Sequence, residues 1–419
     1  MEAVMSGGSL SSEYVVVNGR TYRKPRRTTV VICFDGCDPA YIEAGSQAGV
    51  TPTLDAMRRG GHAALADAAM PTFTNPNNVS IVCGAPPSVH GVAGNFYLDR
   101  ATGETVMMLD AALMRAPTIL AGLAGIGSAV AVVTAKDKLR KALAFGLAGI
   151  AFSAECAEGT TEEEHGIADA AGFVGLARPD QYSAELSLFV LDAGIRLIEA
   201  GRAEVLYLSL SDYIQHKHAP AAPEALAFMA AVDDRLARLM ALGAVVGITA
   251  DHGMSDMAHP DGTPRVSYLG DALDAAFGEG ATRVICPITD PFVRHHGALG
   301  GFVRVHILRE GLSPDAVQEV LLAQPGVALA LTGAEAAARF EMPADREADL
   351  VAIGAAGIAL GARAVDHDVR QLAGARLRSH GSLAEQRVPF LLSHPLGQAG
   401  AAGRLRNFDI FDYALNRVG

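Results

Sequence analysis

The chain has 419 residues, 50% apolar and 19% charged, with a net charge of −12. This is room for two domains or one large domain with an insertion, and the apolar content excludes global disorder. The acid excess, 6% aromatics and absence of Trp exclude a nucleic-acid binder built on phosphate contacts and stacking, and five cysteines in so long a chain exclude a disulfide scaffold.

Residues 1–28 read as a lead-in, with Asn18-Gly19 as a hairpin turn between two short β-like runs. Residues 1–14 carry neither a basic n-region nor an apolar h-region, so no secretory signal is expected and a reducing, cytoplasmic location fits. Thr29–Phe34 (TVVICF) predicts a buried strand, and Thr51–Arg59 a helix with Thr51 as N-cap and Pro52 in the first position. Met70–Gly84 (MPTFTNPNNVSIVCG) predicts a loop that enters a helix at Asn77 or Asn78. Thr118–Ala135 has no charge over eighteen residues, the length of a membrane span. Its three glycines and the β-branched run Ala129–Thr134 predict a helix, a turn and a buried strand instead.

Ser183–Ala200 and Pro223–Leu242 predict amphipathic helices, and Val205–Leu210 and Ala244–Thr249 predict strands. After His259 the texture changes: Phe302–Leu308, Pro314–Leu322 and Val327–Leu331 predict a small α+β unit. Val388–Leu392 predicts a strand of the first kind. The expected architecture is α/β. A mostly parallel sheet with helices on both faces spans residues 29–259 and 377–419, and a smaller α+β cap is inserted at 260–376.

Three predicted strands run into acids: Asp35 after TVVICF, Asp212 after VLYLSLS, and Asp251, with His252 beside it, after VVGITA. Ligands in open α/β sheets bind beyond the carboxyl ends of the strands, so three carboxylates converge on one rim. Clustered carboxylates repel unless cations neutralise them. His216 lies four residues from Asp212 on one face of a turn, and His380 follows the cap. Mixed oxygen and imidazole ligands suit zinc, with manganese or iron as alternatives. Thr74, before a predicted helix N-terminus, is a candidate nucleophile as well as a candidate ligand. Cys33 reads as core and Cys37 as incidental, neither as a metal ligand, and Cys83, Cys156 and Cys286 as unpaired. Glu162–His165 reads as a solvated face, and His295-His296 as a surface turn.

Together these residues resemble the alkaline phosphatase superfamily, in its nucleotide pyrophosphatase/phosphodiesterase branch. That branch has a Thr before Phe-Pro-Asn, where this chain has Thr74-Asn75-Pro76-Asn77, and a G-x-x-P-x-x-H-G-x-x-x-N segment, here Gly84–Asn95. Within the branch, Lys136-Asp137-Lys138, SDYIQHKH and SHGSLAEQRVPFLLSHP are similar to the phosphonoacetate hydrolases. The resemblance implies two zinc ions, one held by Asp212, His216 and His380, the other by Asp35, Asp251 and His252 with Thr74 also reaching it. It implies that Thr74 attacks phosphorus to give a phospho-threonine, and that Asn95 binds a phosphonate oxygen. The implied substrate is a small anion, phosphonoacetate. No nucleic acid or membrane partner is expected, and a homodimer is the assembly the family suggests.

Cleaving a P–C bond next to a carboxylate expels an acetate enolate, whose growing charge calls for cations. Lys136 and Lys138 follow the strand Ala129–Thr134, and two apart on an extended segment they point to one side. His218 is a further candidate for the pocket. The rival expectation is a nucleotide pyrophosphatase/phosphodiesterase, whose leaving group calls for an aromatic or apolar pocket rather than two lysines.

Overall fold

The computed structural model describes residues 13–419 apart from 101, 109–110, 289–296, 373 and 398–402. The pair His295-His296 lies outside the described residues, as do residues 1–12.

The central sheet has seven strands: β1 (Thr29–Cys33), β2 (His62–Asp67), β3 (Val130–Thr134), β4 (Ile150–Ser153), β5 (Val205–Ser209), β6 (Val245–Thr249) and, after a second sheet, Arg387–Leu392. The second sheet is β7 (Thr282–Ile285), β8 (Phe302–Ile307), β9 (Val327–Thr332) and β10 (Leu350–Gly354), which makes Arg387–Leu392 β11. The central order is β2-β11-β6-β1-β5-β3-β4. Only β11 runs against the rest, pairing antiparallel with both β6 and β2. Every residue of β1, β3, β4, β5 and β6 is buried, as expected for parallel strands covered on both faces.

The charge-free stretch after Arg115 forms a short helix, Ile119–Gly125, followed by β3. No described helix is long and apolar enough to cross a membrane. The predicted amphipathic helices appear as Glu185–Glu199 and Pro223–Ala241. Two strands of the central sheet were not expected. β2 (HAALAD) is alanine-rich and weak in β propensity, and β4 has four residues; both are edges of the sheet, where pairing outweighs sequence preference.

The second sheet is antiparallel throughout, in the order β7-β8-β10-β9, and lies in sequence between β6 and β11. It has its own hydrophobic cluster, which also takes in Met70 and Phe73.

One helix start differs from expectation. Thr51 caps nothing with its side chain; the helix Pro52–Gly60 is capped from outside by Asp233 on Pro223–Ala241. Its carboxylate accepts from Thr53 N at 2.9 Å and Leu54 N at 2.8 Å, and Asp233 is 1% exposed. Asp233→Ala leaves both donors without this acceptor, the Leu54 one buried, and is expected to cost about 1–3 kcal/mol in urea unfolding. A loss under about 0.5 kcal/mol would show that water replaces the cap.

Candidate metal centre and active site

Strand register places the site. Thr249 pairs with Cys33, Cys33 with Ser209, Ser209 with Thr134, and Thr134 with Ser153, so five parallel strands end level. The segments beyond that edge carry Asp251-His252, Asp35, Asp212 and Lys136-Lys138. β11 runs the other way, so its amino end lies on the same rim, and the segment before it brings His380. β2 is parallel to β6 across β11, and its carboxyl end leads to Thr74.

Two glycines hold these turns. Gly36 has φ +66°, and a Cβ there would lie 3.1 Å from Asp212 Cβ; its N–H donates to Asp251 Oδ1 at 3.2 Å. Gly381 has φ +127°, and a Cβ there would meet the Phe73 ring at 2.5 Å. A side chain at either would displace a candidate ligand.

The Thr74 helix starts earlier than expected, running Thr74–Cys83 with Thr74 as its first residue. The asparagines that read as loop are its internal crosslinks. Asn77 bonds Ala69 N and the carbonyls of Ala69, Pro71 and Phe73. Asn78 donates to Asp251 Oδ2 at 3.0 Å and accepts from Tyr207 OH and Ser209 Oγ, both at 2.8 Å. Pro76 sits in the first turn, where no N–H is needed. Asn75 to Cys83 are all buried and Thr74 alone is not. Its hydroxyl lies 3.3 Å from His252 Nε2.

The three histidines share one orientation. The Nδ1 atoms of His216, His252 and His380 meet the carbonyls of Arg378 (2.7 Å), Gly253 (2.8 Å) and Thr72 (2.7 Å). A carbonyl only accepts, so each Nδ1 carries a proton, and in the neutral ring Nε2 is then the atom that can bind a metal. The His252 and His380 rings stack at 3.4 Å between centroids, 7° from parallel. Burial first, then His252 and His216, push the His380 pKa well down. Burial, then Asp212 and Asp251, push the Asp35 carboxyl well up, with Lys136 opposing. The chain alone therefore opposes ionisation of Asp35, and cations would reverse that.

The donor set fits such cations. Ligand atoms of Asp212, His216 and His380 lie within 4.8 Å of one another, as do those of Asp35, Asp212 and His252. Asp35 Oδ1 is buried without a hydrogen bond, 3.3 Å from His252 Nε2. The second group contains Asp212 where the resemblance implies Asp251. Asp251 is held by Gly36 N, His252 N and Asn78 Nδ2, with Oδ2 3.7 Å from His252 Nε2.

A cleft opens on this cluster, lined by Asp35, Thr74, Asp212, His216 and His380 together with Asn95, Lys136 and Lys138. Asn95 is held from the second layer: its N–H donates to Pro287 O and its amide to Ile288 O, leaving Oδ1 buried without a partner. The lysines do not lie on an extended segment as expected. Lys136 is extended, but Asp137–Leu139 form a 3-10 turn because Asp137 is tied to Arg140 and Ser153. His218 is not among the residues lining the cleft; its ring lies 3.5 Å from Glu224.

Residues not anticipated brace the site. Glu385, fully buried, accepts from Ser382 N and Oγ and from Ser255 Oγ, joining the His252 and His380 loops; burial raises its pKa. Arg378 ties the His380 segment to Gln215 O beside His216. Their signal in the sequence was the charge itself, placed next to a candidate ligand. None of the five cysteines forms a disulfide. Glu162 to Glu164 are exposed as expected, whereas His165 is buried and accepts from Thr161 N.

The sequence profile of the type I phosphodiesterase/nucleotide pyrophosphatase family matches residues 29–295. The chain belongs to this family. Phosphonoacetate hydrolase from Sinorhizobium meliloti, solved with phosphonoformate, is 45% identical, with a TM-score of 0.92 over 96% of this chain and 98% of that one. The same enzyme with phosphonoacetate gives 44% and 0.91 over the same shares. Murine ectonucleotide pyrophosphatase/phosphodiesterase 5, at 18% identity and a TM-score of 0.64 over 94% and 96%, shares the phosphodiesterase-family fold.

Proposed function

We propose that the protein hydrolyses the P–C bond of phosphonoacetate to acetate and phosphate. The observation that carries this reading is one cleft that holds a nucleophile candidate, Thr74, a cluster of metal-ligand type and two lysines. Near-half identity to phosphonoacetate hydrolase over almost the whole chain supports it.

Asp212, His216 and His380 would hold one zinc ion; Asp35 and His252, with Asp251 as the resemblance implies, would hold the other, and Thr74 would be a further ligand to it. When bound, the ions supply Lewis acidity that favours ionised oxygen nucleophiles and offsets phosphonate charge. Asn95 orients a phosphonate oxygen through its amide. The Thr74 oxygen attacks phosphorus and gives its proton to solvent water; the P–C bond breaks and its electron pair passes into the acetate enolate. Lys136 and Lys138 neutralise the carboxylate as that charge grows, and a proton from water completes acetate. A second water then cleaves phospho-Thr74 to phosphate and restores the hydroxyl. Residues 260–376 act as the inserted cap. The net charge of −12 repels an anionic substrate, so the lysines and bound cations must make the cleft locally positive.

The deciding experiment measures phosphate release by zinc-loaded protein from phosphonoacetate and methylphosphonate, beside cleavage of a nitrophenyl nucleotide diester. Release from phosphonoacetate but not methylphosphonate is expected, because methylphosphonate has the bond without the electron sink. Diester cleavage without phosphonoacetate turnover would assign the nucleotide phosphodiesterase activity instead. Among the described cleft-lining side chains Phe73 is the one Phe, Tyr or Trp, which disfavours a stacked nucleoside.

A further inference from the structure

The geometry points to Asp137 as a positioning residue that aims Lys136 and Lys138 at the substrate carboxylate, an inference that rests on the phosphonoacetate reading. Asp137 sits between the two lysines, where a loose carboxylate would neutralise the cations that the reaction needs. The structure holds it elsewhere. Its Oδ1 accepts from Arg140 Nε at 2.7 Å and from Ser153 Oγ at 3.0 Å. Arg140 is 6% exposed, and its other arm reaches Glu164 Oε1 at 2.7 Å. The Asp137 backbone is fixed too: its N–H donates to Glu155 Oε2 at 2.9 Å.

These contacts come from the strand next door. Ser153 ends β4, and the β3–β4 pairing continues past the strands through Ala154 N to Thr134 O (2.8 Å) and Glu155 N to Ala135 O (3.1 Å). Thr134 Oγ1 donates to Lys136 O at 2.9 Å. The turn that carries both lysines is therefore pinned on three sides while its two cations line the cleft. On an extended chain, residues 136 and 138 would share a face by alternation. On this turn they share the cleft because residue 137 is drawn toward Ser153 and Arg140. Alignment matters here, since a misplacement of about 1 Å can cost about 10²-fold.

The test compares Asp137→Ala, Asp137→Asn and the milder Ser153→Ala, with thermal melting to verify folding. Two substrates are used: phosphonoacetate, and nitrophenyl phosphate, whose leaving group carries no carboxylate. Asp137→Ala is expected to lower kcat/KM for phosphonoacetate by about 30-fold and that for nitrophenyl phosphate by less than about threefold. Asp137→Asn keeps an oxygen for both donors and is expected to restore phosphonoacetate turnover to within about threefold. Ser153→Ala is expected to show the same selectivity at about threefold, which gives an answer even if Asp137→Ala does not fold. Equal losses on both substrates, no loss on either, or an Asp137→Asn enzyme as poor as Asp137→Ala would overturn the positioning role. If the unsubstituted enzyme releases no phosphate from phosphonoacetate, the functional reading itself falls, and this role with it.

Discussion

Thr74→Ala is expected to lower phosphonoacetate turnover by about three to six orders of magnitude, as loss of a covalent nucleophile does elsewhere. The position supports so large an effect. Thr74 is the single accessible residue of a buried helix, with Phe73 before it in the second hydrophobic cluster and Val79, Ile81 and Val82 after it in the first. Two separately packed cores fix its hydroxyl beside His252. The Ala variant is also expected to retain both zinc ions by elemental analysis, because three other side chains serve each ion in the proposed assignment. Loss of zinc along with activity would make Thr74 chiefly a ligand. Retention of more than about a tenth of the activity would remove it as nucleophile.

Lys136→Ala and Lys138→Ala are each expected to lower kcat/KM for phosphonoacetate by about 10²–10³-fold, the cost of removing one group that faces developing negative charge. The loss on nitrophenyl phosphate should stay below about tenfold, since its phenolate leaves without a carboxylate to neutralise. The enolate forms only as the P–C bond breaks, so the loss should fall mainly on kcat rather than KM. A rise in KM with kcat unchanged would mean that the lysines only gather the anion. Equal losses on both substrates would return them to a structural role.

Much of this was legible because strand-end acids are local signals. TVVICF, VLYLSL and AVVGIT are β-rich apolar runs, and their acids fall on the level rim that parallel register creates. The asparagine-rich start of the Thr74 helix was not legible. Asparagine disfavours helix interiors by competing for backbone, and only burial among Tyr207, Ser209 and Asp251 turns that tendency into crosslinks. The cap on Pro52–Gly60 was missed for a related reason: Asp233 lies far away in sequence, whereas capping rules look only at neighbours. The Lys136–Lys138 segment read as extended because spacing alone cannot register the pull of Ser153 on residue 137. His218 looked eligible by composition, but the turn after His216 carries its ring toward Glu224.

The antiparallel course of β11 has a consequence for how the protein matures. His380 joins the rim on the segment just before β11, the last strand of the sheet in chain order, which inserts between β2 and β6. A nascent or partly folded chain holds Asp35, Asp212 and His216 without their last partner. On the proposed assignment, tight metal capture would wait for the longest-range pairing in the sheet, and pairing of that kind is the slow part of folding. Acquisition of metal would then be a late checkpoint, and cation affinity would add to the free energy holding β11 in place.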